Sequence, residues 1–125
     1  MLGKSFDDNS PLFLQIKARI EDQIINGVLE EDVQIPSTTQ IVGFYKINHI
    51  TVSKGVGLLV DEGILYKKRG VGIFVSKGAK DMLIDKRQQN FLTQYMKPML
   101  AEAKKLGIDT EVLLEMMQLE GNKND

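Results

Sequence analysis

The chain has 125 residues, 42% of them hydrophobic and 26% charged, with no cysteine and a formal net charge of −1. These are values for one globular domain with a small appendage, and they exclude wholesale disorder. The missing cysteine removes disulfides, thiolate nucleophiles and Cys-based zinc sites, and no apolar run reaches the ~18 residues of a membrane span.

Residues 1–10 are polar and read as a flexible N-terminus. They lack the apolar core of a signal peptide, so a cytoplasmic protein with no membrane association is expected. Pro11 suits a first helical turn, and Leu12, Ile16, Ile20 and Ile24 then recur every four residues, with Phe13 and Ile25 widening the stripe. Asn26-Gly27 ends this helix. "VLEEDVQIP" reads as a connector anchored by Val28, Leu29, Val33 and Ile35. Ser37 with Gln40 has the form of a capping box for a short helix carrying Ile41, Val42, Phe44 and Tyr45. After the turn "KIN", Asn48 caps a second helix from His49 to about Glu62, stopped by Gly63. Two short helices joined in this way describe a helix-turn-helix.

On the second of these helices Val52, Val56, Leu59 and Val60 gather on one face. Ile50, Thr51, Lys54 and Leu58 lie opposite, with His49 and Ser53 on the flank. Gly55 and Gly57 cost the helix roughly 1 kcal/mol each against alanine, which points either to close approach of another backbone or to plain tolerance. Ile64–Tyr66 and Ile73–Val75 then read as two strands around the turn "KRGVG". Three helices and a hairpin make a winged helix-turn-helix over residues 11–78. The class is mainly α with a small β-hairpin.

From residue 79 to 119 the pattern is helical throughout, in two helices that meet at Gly107, with Pro98 expected to kink or break the first. Residues 120–125 read as a frayed tail. The apolar side chains Phe91, Leu92, Tyr95, Met96, Met99, Leu100, Leu106, Leu113, Met116 and Met117 are more than a 45-residue appendage needs for its own packing, and they form the candidate dimer seam.

Charge is distributed unevenly. Residues 1–43 carry a balance of −4, residues 44–80 a balance of +5, and the remainder six bases against eight acids. A local basic surface is the usual footprint of a polyanion partner, the alternative being an uneven solvated surface.

"PLFLQIKARIEDQIINGVL", "IPS", "INHITVSKG" and "LLVDEGILYKKRGVGIFV" resemble, in order and spacing, the DNA-binding domain of the GntR family of bacterial transcription regulators, from Pro11 to about Val75. The helical tail with "AKKLGIDTEVLLEMM" resembles the YtrA subfamily. That resemblance implies a winged helix with a two-helix dimerisation segment, and a homodimeric regulator, more often a repressor, of a transporter operon. It implies double-stranded DNA as the partner and a wing lying along the minor groove. Two departures stand out. Thr39 occupies the place of an arginine that usually reads a base, and His49 and Ile50 replace a proline and an asparagine common in the subfamily.

The candidate DNA contacts are Ser37, Thr38 and Thr39 on the first helix of the pair, and Asn48, His49, Ile50, Thr51, Ser53 and Lys54 on the second. Lys67, Lys68, Arg69 and Gly70 form the wing tip. Thr51 and Ser53 can bond to phosphate or base, and Lys54 can reach phosphate or guanine. Ile50 either covers a thymine methyl or is an exposed isoleucine facing solvent or a partner subunit. His49 is a groove contact or a polar first-turn residue. It has no second histidine or any cysteine with which to hold a metal.

A strand follows "GVG" at residues 70–72, so this is not a phosphate loop. The acid pairs have no converging nucleophile or base. Catalytic residues and cofactors are therefore not expected, and no residue pattern names a small-molecule effector. The competing reading is a helical protein-interaction module whose operator binding is lost or weak.

Overall fold

A computed structural model describes residues 6, 7 and 9–124; residues 1–5, 8 and 125, with most of the expected flexible N-terminus, lie outside the described residues. The element order is α1 (Leu12–Ile25), α2 (Thr38–Tyr45), α3 (His49–Asp61), β1 (Leu65–Lys68), β2 (Gly72–Val75), α4 (Ala79–Phe91), a π-helical turn (Leu92–Met96), α5 (Lys97–Lys105) and α6 (Thr110–Asn124). The chain forms two compact units that divide between Asp85 and Lys86.

In the first unit the four-residue spacing buries Ile16, Ile20 and Ile24 completely, whereas Leu12 is left exposed at the helix start. Pro11 is the N-cap of α1 and not its first helical residue. α1 ends when Gly27 turns to φ +81°, letting the Val28 amide reach back to the Gln23 carbonyl at 2.9 Å. α3 ends the same way, with Gly63 at φ +78° and the Ile64 amide on the Leu59 carbonyl at 2.9 Å. These two turns return the chain to the core, where Leu29, Ile35, Ile64 and Leu65 join Ile41, Val52, Val56 and Leu59. Val28 and Val33, read as anchors, are exposed: the connector turns at Gly27 (φ +81°) and again at Asp32 (φ +62°), and the residues it buries are Leu29 and Ile35.

The connector does more than link helices. The Asp32 amide donates to the Val75 carbonyl at 2.7 Å, the Val75 amide to the Val33 carbonyl at 3.1 Å, and the Ile35 amide to the Ile73 carbonyl at 2.9 Å. β2 is thus flanked by β1 on one side and by this segment on the other. The Glu31 carboxylate accepts from the Gly78 amide at the entry to α4. Ala79 and Leu83, on the first turns of α4, are fully buried in the same core, so the first unit's packing extends beyond residue 78.

In the second unit the helix does not break at Pro98. Pro98 lacks an amide and its ring crowds the carbonyl four residues back. The turn just before it widens, so that the Lys97 amide bonds to the Leu92 carbonyl, five residues away. α5 ends at Lys105, before the turn at Leu106-Gly107, and α6 runs on to Asn124 where composition suggests fraying. A Lys123–Glu120 pair at 3.4 Å and opposite charges at its two ends, Glu111 and Lys123, favour the longer helix.

Ala103 and Leu113 are buried within this unit, but Phe91, Leu92, Tyr95, Met96, Met99, Leu100, Leu106, Met116 and Met117 are exposed. Several of them line an apolar groove of about 300 Å³ between the π-turn, α5 and α6.

Candidate nucleic-acid interface

α3 packs against α1, α2 and β1, and so holds the helix pair and the hairpin together in one body. Its start is fixed by Asn48, whose side-chain oxygen accepts from the Thr51 amide at 2.8 Å. The start of α2 is fixed reciprocally: the Ser37 hydroxyl accepts from the Gln40 amide at 3.1 Å, and the Gln40 side chain accepts from the Ser37 amide at 2.8 Å. Between them Lys46 takes φ +56°, a left-handed step that ends α2 and turns the chain into α3. Both caps use side chains the sequence places at the interface. Asn48 and Ser37 therefore spend an oxygen on their own backbone before any partner arrives.

Outward-facing residues lie where helical periodicity puts them. His49, Ile50, Ser53 and Lys54 are exposed and Thr51 is half-buried, with Ile50 at 80% exposure. An isoleucine so exposed at a helix start adds an apolar contact surface to an otherwise polar face. The Ser53 hydroxyl lies 3.3 Å from His49 Nδ1, one turn away. Lys54 Nζ sits 4.0 Å above the centre of the Phe13 ring, on α1. Thr39 is exposed beside the half-buried Thr38 on the first turn of α2.

Gly55 explains how α1 comes so near: a Cβ built on it would lie 2.7 Å from the Phe13 carbonyl oxygen. Gly57 has open space instead, so only the first glycine of the pair serves close approach. Lys17 of α1 bonds to Glu62 at the end of α3 at 2.9 Å and to Glu21 at 3.6 Å. One lysine thus bridges both acids, nearer to Glu62 than to Glu21.

The wing is a two-stranded antiparallel hairpin with Tyr66 opposite Phe74 and Lys68 opposite Gly72. Arg69-Gly70-Val71 forms the tip, closed by the Val71 amide on the Lys68 carbonyl at 2.9 Å, with Gly70 at φ +77°. Lys67, Lys68, Arg69 and Gly70 are all exposed. Among the described residues no carboxylate pairs with Lys67 or Arg69. Lys68 Nζ lies 4.6 Å above the Phe74 ring, and Phe74 in turn stacks on Tyr66 at 5.5 Å.

Desolvation, and then the Asp32 carboxylate that accepts from it at 3.4 Å, raise the Tyr66 phenol above its ordinary range. Gln34 reaches the tip from the connector, its side-chain amide donating to the Val71 carbonyl at 3.1 Å. Gln34 and Phe13 are missing from the sequence-derived site. Phe13 is absorbed by the apolar stripe of α1, and nothing local in "VQIP" marks a reach of 37 residues.

This arrangement presents a helix with a partly apolar tip, a capped companion helix and a basic hairpin. Major-groove base edges offer donors, acceptors and a methyl group to the first, and phosphates suit the last.

A family model described as "Bacterial regulatory proteins, gntR family" matches residues 12–75. The "HTH-type transcriptional repressor YtrA" of Bacillus subtilis is 26% identical over 94% of both chains. "HTH-type transcriptional repressor NagR" of the same organism is 39% identical over 54% of this chain and 28% of its own length. The chain spans only about a quarter of such longer regulators. Among solved structures, a putative GntR-family transcriptional regulator from Bacteroides thetaiotaomicron covers 91% of this chain and 99% of its own, at 32% identity and a TM-score of 0.77. The DNA-binding domain of AraR in complex with operator ORX1 covers 60% of this chain and 96% of its own, at 29% identity and a TM-score of 0.56.

Proposed function

The chain belongs to the gntR family of bacterial regulatory proteins, and we propose that it is a cytoplasmic transcription repressor that binds a pseudo-palindromic operator as a homodimer. The observation that carries this reading is Ile50 at 80% exposure on the first turn of α3, flanked by Ser53 and Lys54. In water that side chain is a cost. Over a thymine methyl it excludes water from an apolar partner.

The remaining site residues take roles that follow from their chemistry. Thr51, Ser53 and Asn48 bond to bases or the backbone beside them, and Ser37, Thr38 and Thr39 contact the adjoining strand. His49 approaches the groove beside Ile50. Lys67, Lys68 and Arg69 neutralise phosphates while Gly70 lets the wing tip lie close. The family comprises regulators, and no catalytic role is assigned. No described helix is long and apolar enough to cross a membrane.

The second unit supports the dimer. Its exposed apolar side chains, Phe91 and Tyr95 through Met117, form a face of the kind that an isologous twofold contact covers. Similarity to the YtrA repressor over 94% of both chains supports a regulator of that organisation, for which a transporter operon is the proposed target.

Selection of bound DNA from a random pool, with affinities measured at several salt concentrations, tests the whole reading. A two-fold related, A·T-rich site with steep salt dependence is the expected result. Binding without salt dependence, or none at all, leaves a protein-interaction module in its place.

A further inference from the structure

Lys54 has a four-carbon stem whose rotamers must be frozen when it meets a partner, and that ordering subtracts from affinity. In this structure the stem is already held. The ammonium lies 4.0 Å from the centre of the Phe13 ring, well inside the ~6 Å within which the ring quadrupole attracts a cation. The ring belongs to α1 and the lysine to α3, so their separation depends on how closely the two helices cross. Gly55, the residue after Lys54, sets that closeness, because any Cβ there would meet the Phe13 carbonyl at 2.7 Å. The Lys17–Glu62 pair at 2.9 Å ties the same two helices again, at the far end of α3.

Resting on the function proposed above, we propose that Phe13 is a positioning residue for DNA binding: it holds the Lys54 ammonium on the α1 flank of α3 as a ready-made phosphate contact. Base edges lie beneath a helix in the major groove, and phosphates line its walls. A lysine drawn sideways onto α1 is directed to the wall. The aromatic ring acts through Lys54 by ordering it beforehand, which strengthens binding without adding a contact of its own.

A double-mutant cycle in the full chain tests the tether. Phe13→Leu should weaken binding about two- to fivefold, equally for all sequences, and Phe13→Tyr should retain the affinity. Lys54→Met should reduce the slope of log affinity against log salt by about 0.9. In the Lys54→Met background, Phe13→Leu should cost nothing further. Equal losses in both backgrounds would reveal a packing role and overturn the proposal. A changed preference for one base on Lys54→Met would overturn the phosphate assignment.

One readout needs no DNA. In the free protein the ring should shift the Lys54 ε-protons upfield, and Phe13→Leu should abolish that shift; its absence in the unaltered chain sinks the tether itself. If the shift is present and the unaltered chain binds no DNA, the proposed function fails, and the DNA role of Phe13 fails with it.

Discussion

Ile50 and Thr39 are two of the three residues at which the family resemblance implies a departure, and the structure leaves both exposed. Ile50 has no hydrogen bond to offer. Ile50→Ala should therefore relax the preference for one thymine while leaving non-specific affinity nearly intact. Thr39 puts a short hydroxyl where a bidentate donor would be worth ~1–3 kcal/mol of discrimination, so Thr39→Arg should add affinity for half-sites carrying a guanine. Selection that returns a strict guanine opposite Thr39, and no base change for Ile50→Ala, contradicts both expectations. The two helical glycines make a contrasting pair. Gly57→Ala enters open space and should raise stability by roughly 0.5–1 kcal/mol. Gly55→Ala drives a methyl against a backbone carbonyl that cannot retreat and should lose about 1–3 kcal/mol. Thermal melting of both variants checks the sign difference. Sequence alone makes these glycines indistinguishable, because what separates them is a neighbour some forty residues away.

At the scale of elements, what local chemistry dictates is legible. Ser37 with Gln40 and Asn48 with Thr51 mark the starts of α2 and α3, and the hairpin falls where two short apolar runs, Ile64–Tyr66 and Ile73–Val75, surround "KRGVG". The outward face of α3 follows from its periodicity, which is why most of the candidate site can be read in advance. What pairs at a distance is not legible. "VLEEDVQIP" has no strand signature, yet its backbone completes the wing's small sheet, and Gln34 braces the tip through the Val71 carbonyl. Pro98 announces a disturbance but not its form, since a π-turn and a break relieve the same crowding.

The brace is one reason to treat the wing as a rigid arm carrying its charges to the duplex. Replacing Lys67, Lys68 and Arg69 together with alanine should weaken binding to every sequence. Each phosphate deprived of its neutralising cation should reduce the salt slope by about 0.9. An unchanged slope would show that the wing stays off the DNA.

For the whole molecule, the burial of Ala79 and Leu83 decides where the chain can be cut. A fragment ending at residue 85 keeps the first unit's core and removes the second unit. It should fold, sediment as a monomer and bind operator DNA more weakly than the full chain, which should sediment as a dimer at micromolar concentration. A fragment ending at residue 78 exposes the pocket that Leu83 fills and should be less stable, by the few kcal/mol typical of an emptied leucine site. A full-length monomer at that concentration would remove the case for a dimer seam on the second unit.

The strand-like pairing of residues 32–35 with β2 also has a consequence in time. The Asp32 amide and the Val75 carbonyl are brought together across 43 intervening steps of chain, past α2, α3 and β1. Such a closure has to await the helices between them, so the wing is completed late in folding. Once formed, these hydrogen bonds cannot open without parting the connector from β2. The amides of Asp32, Ile35 and Val75 should exchange with solvent deuterium only as fast as the first unit unfolds globally, while that of Val71, bonded only across its own turn, exchanges through local fluctuation.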